Sequence, residues 1–161
     1  MPILHVQYDA KGRDQDGKEI AVPSGLVLQQ HGPVVQVIVG IAQTFADPLL
    51  QQGITLPAPL SGNGLLDTGA STTCIDDEIA RQMGLPAIDV VTMASASHSS
   101  IQQNVYSIQM QIVGSPIMVQ VPRAIGASLR SQGIMALIGR DYLQHCTFHY
   151  NGLTGAITLS I

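Results

Sequence analysis

Asp67 stands where an apolar run meets a tight turn, in Leu65-Leu66-Asp67-Thr68-Gly69-Ala70-Ser71. The two leucines read as the end of a buried strand, and Thr68-Gly69-Ala70 as the turn that follows. A carboxylate set directly after buried leucines carries a desolvation penalty, so it needs a partner or a job. A strand end also lets a rigid sheet aim it. A second stretch, Ala136-Leu137-Ile138-Gly139-Arg140-Asp141-Tyr142-Leu143, runs from apolar residues through a glycine into an arginine and an acid. The remaining candidates carry less. Five scattered histidines make no paired-histidine helix motif, so no metal centre or other cofactor is expected. Asp76-Asp77-Glu78 opens a short helix and reads as cap chemistry rather than as ligands. Asp14 and Asp16 sit in a solvated turn and lack the spaced oxygens and closing glutamate of a calcium loop. His98, among serines, has no strained nucleophile turn beside it and reads as an exposed turn residue.

The first stretch resembles the active-site loop of aspartic proteases. Ala70 after the glycine is the retroviral-type (retropepsin) form. The second resembles the apolar-apolar-Gly-Arg-Asp/Asn segment that opens the C-terminal helix of the same family. The order and rough separation also match, over about residues 32–161. The resemblance implies peptide hydrolysis by two carboxylates that share one proton. Like charges at about 3 Å cannot both be ionised, which is the established behaviour of the aspartic-protease dyad. This chain has a single Asp-Thr-Gly loop and no internal repeat. The resemblance therefore implies a symmetric homodimer with two copies of Asp67 at the axis, acting on a peptide or protein substrate. It gives Asp67, Thr68 and Gly69 the catalytic loop, with Thr68 bonding across the axis and Gly69 admitting substrate backbone. Ala70 and Ser71, with Ala96, Ser97, His98 and Ser99 of a flap-like hairpin tip, would line the cleft. Gly139, Arg140 and Asp141 would support the loop. Pepsin-like enzymes place serine where Ala70 stands. Losing that donor to the ionised aspartate favours activity at mildly acidic to near-neutral pH. Retroviral proteases pair the matching arginine with an aspartate after the loop. Ser71 occupies that position here, so Arg140 is expected to bond backbone carbonyls, Asp141 or another acid. The long N-terminal extension and an insertion over 42–60 look more like the retropepsin-like proteins encoded in bacteria than like a viral enzyme. The alternative is a retropepsin-fold dimerisation or peptide-binding module without useful turnover.

Composition sets the class around this site. At 161 residues the expectation is one compact unit with a proper core. With 45% apolar and 11% charged residues, disorder is excluded and some surface is expected to be covered by a partner. Tryptophan is absent and aromatics are 4%, so the core must be aliphatic. The net charge of −4, with no basic cluster, argues against a nucleic-acid partner. No apolar run approaches the roughly twenty residues that span a bilayer. No basic segment followed by an apolar run opens the chain, so a cytoplasmic protein is expected. Cys74 and Cys146 read as free, half-buried thiols.

The pattern predicts an all-β fold, a closed retropepsin-like acid-protease barrel with one or two short helices and one lobe per chain. Residues 1–31 are expected to be an N-terminal extension, with Ile3–Tyr8 and Ile20–Val22 as the arms of a hairpin. Residues 32–161 form the protease-like domain. Strands are expected over Gly25–Leu28, Val34–Ile41, Ile88–Ala96, Ile101–Val113 and Ile117–Val121, where Pro122 ends the last. Thr44–Pro59 reads as an inserted loop with a helical turn at 47–50. Short helices are expected over 76–84 and 140–145, and a final hairpin over 146–161. The resemblance places the terminal strand Ala156–Ile161 in an interface sheet interleaved with a second copy.

Overall fold

In the computed structural model, residues 3–95, 98–116 and 118–160 are described. Six strands close a barrel. They are β4 (Val34–Ile41), β5 (Leu60–Leu66), β6 (Cys74–Asp76), β8 (His98–Ile112), β9 (Met118–Ala127) and β10 (Ala136–Ile138). The order runs β4-β5-β10-β6-β9-β8, and β8 pairs back onto β4. β7 (Ala87–Ser95) lies outside the closure as the antiparallel partner of β8. Alternation explains the wall: Val35, Val37, Val39 and Ile41 of β4 turn inward with Ile108, Met110 and Ile112 of β8. The core is aliphatic apart from Tyr106 and Tyr142, the two largest side chains it buries.

β5 and β10 run parallel, with Leu66 opposite Ile138. The two motifs are thus neighbours in one sheet, although far apart in sequence. Gly139 is required there. A Cβ on it would lie 2.6 Å from the Thr72 carbonyl carbon and 2.9 Å from the Thr73 nitrogen, both backbone atoms.

Several expectations are corrected. Among the described residues four short α-helices form rather than one or two: α1 (Ser24–His31), α2 (Gln43–Gln51), α3 (Asp77–Gln82) and α4 (Arg140–Leu143). The segment 25–28 is helical in α1, not a strand; Val27 and Leu28 are adjacent buried residues, which strand alternation would have split. Much of the expected inserted loop is α2, with Pro48 inside the helix rather than at its first position. Ile3–Gln7 (β1) does not pair with Ile20–Val22. β2 (Ala10–Arg13) and β3 (Glu19–Val22) make that hairpin between themselves, closed by Asp14 accepting from the Asp16 and Lys18 N–H groups. Pro122 does not end β9. Tyr106 faces Ala124 while Ile108 faces Val121, so two residues of β9 oppose one of β8. That bulge accommodates a residue with no N–H to offer.

β1 instead joins β12 (Ala156–Ser160), which also pairs with β11 (Thr147–Asn151), in a three-stranded antiparallel sheet ordered β1-β12-β11. The expected interleaving of β12 with another chain is therefore replaced by pairing within the chain on both of its edges. Ile157 and Leu159 of β12 enter the core, with Leu4, Val6 and Phe148 packed against it.

Candidate active site

Asp67 leaves β5 with its backbone still in the sheet, its N–H donating to the Ile138 carbonyl at 2.9 Å. The chain then turns. The Gly69 N–H donates to Asp67 Oδ1 at 2.8 Å, which orients the carboxylate from within its own loop. A Cβ on Gly69 would stand 3.0 Å from that oxygen, so a side chain there would crowd the acid itself. Asp67 is partly exposed and Thr68, Gly69 and Ser71 are exposed. The carboxylate is thus presented on an open surface while its backbone is fixed.

Arg140 finds the first of its expected partners. Its guanidinium Nη1 donates to the Thr68 carbonyl at 2.7 Å and to the Gly69 carbonyl at 2.9 Å, and its own N–H donates to the Ala70 carbonyl at 2.9 Å. Three successive carbonyls of the loop are held by one residue. Asp141 is turned elsewhere. Its carboxylate accepts from the Thr73 N–H and, at 2.6 Å, from the Thr73 hydroxyl, and it takes the Tyr142 N–H as well. The Thr73 hydroxyl in turn accepts from the Gly139 N–H at 3.1 Å. Buried Thr73 is therefore the joint between the two motifs. Sequence reasoning missed it; its only signal was the run of three hydroxyl residues, Ser71-Thr72-Thr73, that follows the loop.

The thiol of Cys74 lies beside this knot. Burial pushes it up, and the neighbouring acids Asp141 and Asp67 push it further, so a thiolate nucleophile is disfavoured. Cys74 and Cys146 are both free.

The acidic trio has separate jobs. Asp76 caps α3 by accepting from the Ile79 N–H, and its other oxygen accepts from the Leu129 and Arg130 N–H groups. Burial raises its pKa, but these three donors and the Arg130 charge outweigh that and hold the carboxyl below the usual range. Asp77 accepts from the Tyr106 hydroxyl at 2.7 Å and from Asn104, and pairs with Arg81. These partners likewise outweigh burial and depress its pKa, while burial and Asp77 together push Tyr106 up to about 12.

Beside β5 lies a cavity of about 460 Å³ lined by Gln30, His31, Val34, Asn63, Leu65 and Ile134, among others. Leu65 and Asp67 are two residues apart in extended chain, so both project from one face of β5. Of the expected cleft residues, Ala96, Ser97 and the side chains of His98 and Ser99 lie outside the described residues. The hairpin that carries them, β7–β8, is in place. Among the described residues no group of three or more metal-ligating side chains occurs, and no helix is long and apolar enough to cross a membrane.

The chain is similar to a retropepsin-like aspartic protease from Rickettsia conorii, with 12% identity and a TM-score of 0.49 over 98% of this chain and 90% of that one. It is also similar to the protease of simian foamy virus (mac), at 14% identity and a TM-score of 0.43 over 69% of this chain and 91% of that one. No curated protein matches it. The family of retroviral aspartyl proteases matches residues 29–150, a span that takes in the Asp67 loop, Thr73, the flap-like hairpin and the Arg140 segment. The chain belongs to the retroviral aspartyl protease family.

Proposed function

We propose that the protein is an aspartic endopeptidase assembled from two identical chains, each supplying one Asp67. The observation that carries this is the single carboxylate held at an open strand end, oriented by its own loop and braced through three carbonyls by Arg140. One such group activates water poorly; two on a symmetry axis share a proton and divide the work. The ionised Asp67 takes a proton from water as the oxygen attacks the scissile carbonyl carbon. The neutral Asp67 protonates the carbonyl oxygen. Collapse of the tetrahedral species breaks the C–N bond: the departing nitrogen takes a proton from one carboxyl while one of the two hydroxyls returns its proton to the other carboxylate, which leaves a carboxylic acid and restores the singly protonated dyad.

Thr68 and Gly69 would meet their counterparts or the substrate at the exposed loop. The cavity at Leu65 would receive a substrate side chain next to the scissile bond. Its apolar floor of Val34, Leu65 and Ile134 is rimmed by Gln30 and His31. That lining suits a chain with an apolar stem and a hydrogen-bonding end.

Wild type and Asp67→Asn are incubated with a random peptide library from pH 3 to 8, with oligomeric state measured on the same samples. Cleavage by a wild-type dimer is expected, best at mildly acidic to near-neutral pH. The variant should lose about 100- to 10,000-fold or more while staying dimeric. A well-formed dimer that cuts nothing would instead favour the binding module. Cleavage that survives in Asp67→Asn would refute the mechanism.

A further inference from the structure

The proposed chemistry needs a second copy, and the strand expected to recruit it is already occupied. β12 is paired along one edge by Ile3–Gln7 and along the other by Thr147–Asn151. We infer that two copies join instead through the outer edge of β1, antiparallel across a two-fold axis, giving a six-stranded sheet with β1 against β1 at its centre. This interface rests on the dimeric reading of the site, and it names the surface that would bring the second Asp67.

The phase of the ladder shows what that edge offers. The Tyr8 N–H donates to the Gly155 carbonyl. Tyr8, Val6 and Leu4 therefore turn their backbone groups toward β12, and Ile3, His5 and Gln7 turn theirs outward, because antiparallel residues alternate between the two sides. Among the described residues β1 pairs with β12 alone, and β2–β3 forms a sheet of its own. Three donors and three acceptors stand in a row without partners from any other strand. The edge also lacks the devices that discourage pairing. Ile3–Gln7 contains no charge and no proline, its register with β12 has no bulge, and Ile3 is 62% exposed.

Position favours the same edge. The Tyr8 hydroxyl donates to the Val34 carbonyl at 2.8 Å, Val34 faces Leu65, and the Leu66 N–H donates to the Pro33 carbonyl. The end of β1 is thus fastened to the catalytic strand within a few residues of Asp67. The competing free edge, β11, is flanked at its turn by the start of α1, where Pro23, Ser24 and Leu26 face Tyr150 and Leu153 across a cavity. A two-fold pairing that uses all three outward residues of β1 has one register. His5 lies opposite His5 of the second copy, and Ile3 opposite its Gln7. The His5 side chain is on the outer face, where its Nδ1 meets the Thr158 hydroxyl at 3.1 Å.

The test exploits this alternation. His5→Pro removes an N–H that β12 does not use, so the intrachain sheet survives while the outer ladder loses its centre. In sedimentation velocity over a concentration series, the variant should dissociate about 100-fold or more readily than wild type, with unchanged circular dichroism. A parallel arm needs no proline. In a Cys74→Ala, Cys146→Ala background, His5→Cys should form a disulfide-linked dimer under mild oxidation, because opposed residues bring their Cβ atoms within reach. Thr147→Cys on β11 should not. A dimer unaffected by His5→Pro, cross-linking through position 147 rather than 5, or a wild type that is monomeric at every concentration would overturn the inference. If His5→Pro fails to fold, the cysteine arm decides. Peptide cleavage on the same samples separates the two proposals. A β1-linked dimer without cleavage sinks the protease reading alone, whereas cleavage by a dimer joined elsewhere sinks this interface alone.

Discussion

The Asp67 loop and the β7–β8 hairpin are held in different ways and by different bonds. Around Asp67, polar groups converge. Thr73, Asp141 and Arg140 tie two sequence-distant segments together through side-chain hydrogen bonds, most of them to backbone groups and several charge-assisted. Beyond Asn104, whose amide donates to Asp77, the described part of the hairpin has no such bracing. β7 pairs only with β8 among the described residues, Ile88, Val90 and Ile101 are exposed, and a second tie to the barrel is an exposed Asp89–Arg123 pair at 2.6 Å. The contrast shows a scaffold that concentrates its buried polar bonds around the Asp67 loop and holds the hairpin more lightly, chiefly through its own ladder.

The sharpest way to break the contrast is to remove an acceptor on the braced side. Asp141→Ala strips the Thr73 N–H, the Thr73 hydroxyl and the Tyr142 N–H of their shared partner. A loss of about 3 kcal/mol of stability is expected in denaturant unfolding, together with loss of cleavage, since unmet buried donors cost more than a bond returns. Asp76→Ala should cost a similar amount, because Ile79, Leu129 and Arg130 all donate to that carboxylate. A result under 1 kcal/mol for either would show that the loop is held by packing instead.

Acid probes the same corner without mutation. The pKa values of Asp76 and Asp77 are depressed in the folded state, so their contribution is complete above the unfolded carboxylate value of about 4. It is lost as pH falls through the lower folded values. The thermal midpoint should hold between pH 7 and 5 and fall below about pH 4, and Asp76→Asn should flatten that fall. A midpoint that rises on acidification would contradict the sign.

How much of this was legible beforehand follows from the same physics. The Asp67 loop and the Gly139-Arg140-Asp141 segment could be read because each packs its chemistry into a few consecutive residues. Their adjacency could not be derived from either stretch, because it depends on the parallel β5–β10 register. Thr73 was invisible because a buried threonine looks like a strand residue until Asp141 arrives from 68 residues away. The segment 25–28 was misread because four apolar or small residues fit a strand or a helix equally, and tertiary burial of Val27 with Leu28 decided it. β1 was assigned the nearest partner in sequence, whereas its partner lies at the other end of the chain, a choice no local signal encodes.

Arg140 gives a smaller effect on stability than on rate. It is exposed, so Arg140→Ala should cost about 1 kcal/mol or less in unfolding, yet it frees the Thr68 and Gly69 carbonyls together. kcat should fall more than KM changes, and Arg140→Lys should restore only part of it, since the shorter, flexible lysine stem must bring its ammonium to where Nη1 now serves both carbonyls. Full rescue by lysine would mean that charge, not geometry, holds the loop.

The least costly change lies on the other side of the comparison. Asp89→Ala removes the exposed Arg123 pair, and its stability cost should be too small to resolve in denaturant unfolding, as for most surface ion pairs. Its readout is local. Amide exchange of Val90 and Val91 should quicken while that of Ile108 and Met110, in the closed part of β8, stays unchanged. Because Asp89 also accepts the Val90 N–H, the two effects need separating, and Arg123→Ala does so by removing the pair while leaving that acceptor in place. If both variants quicken exchange equally, the ion pair is the tie that limits opening. If only Asp89→Ala does, the acceptor for the Val90 N–H and not the ion pair limits opening, and the Asn104–Asp77 bond is the polar grip that remains.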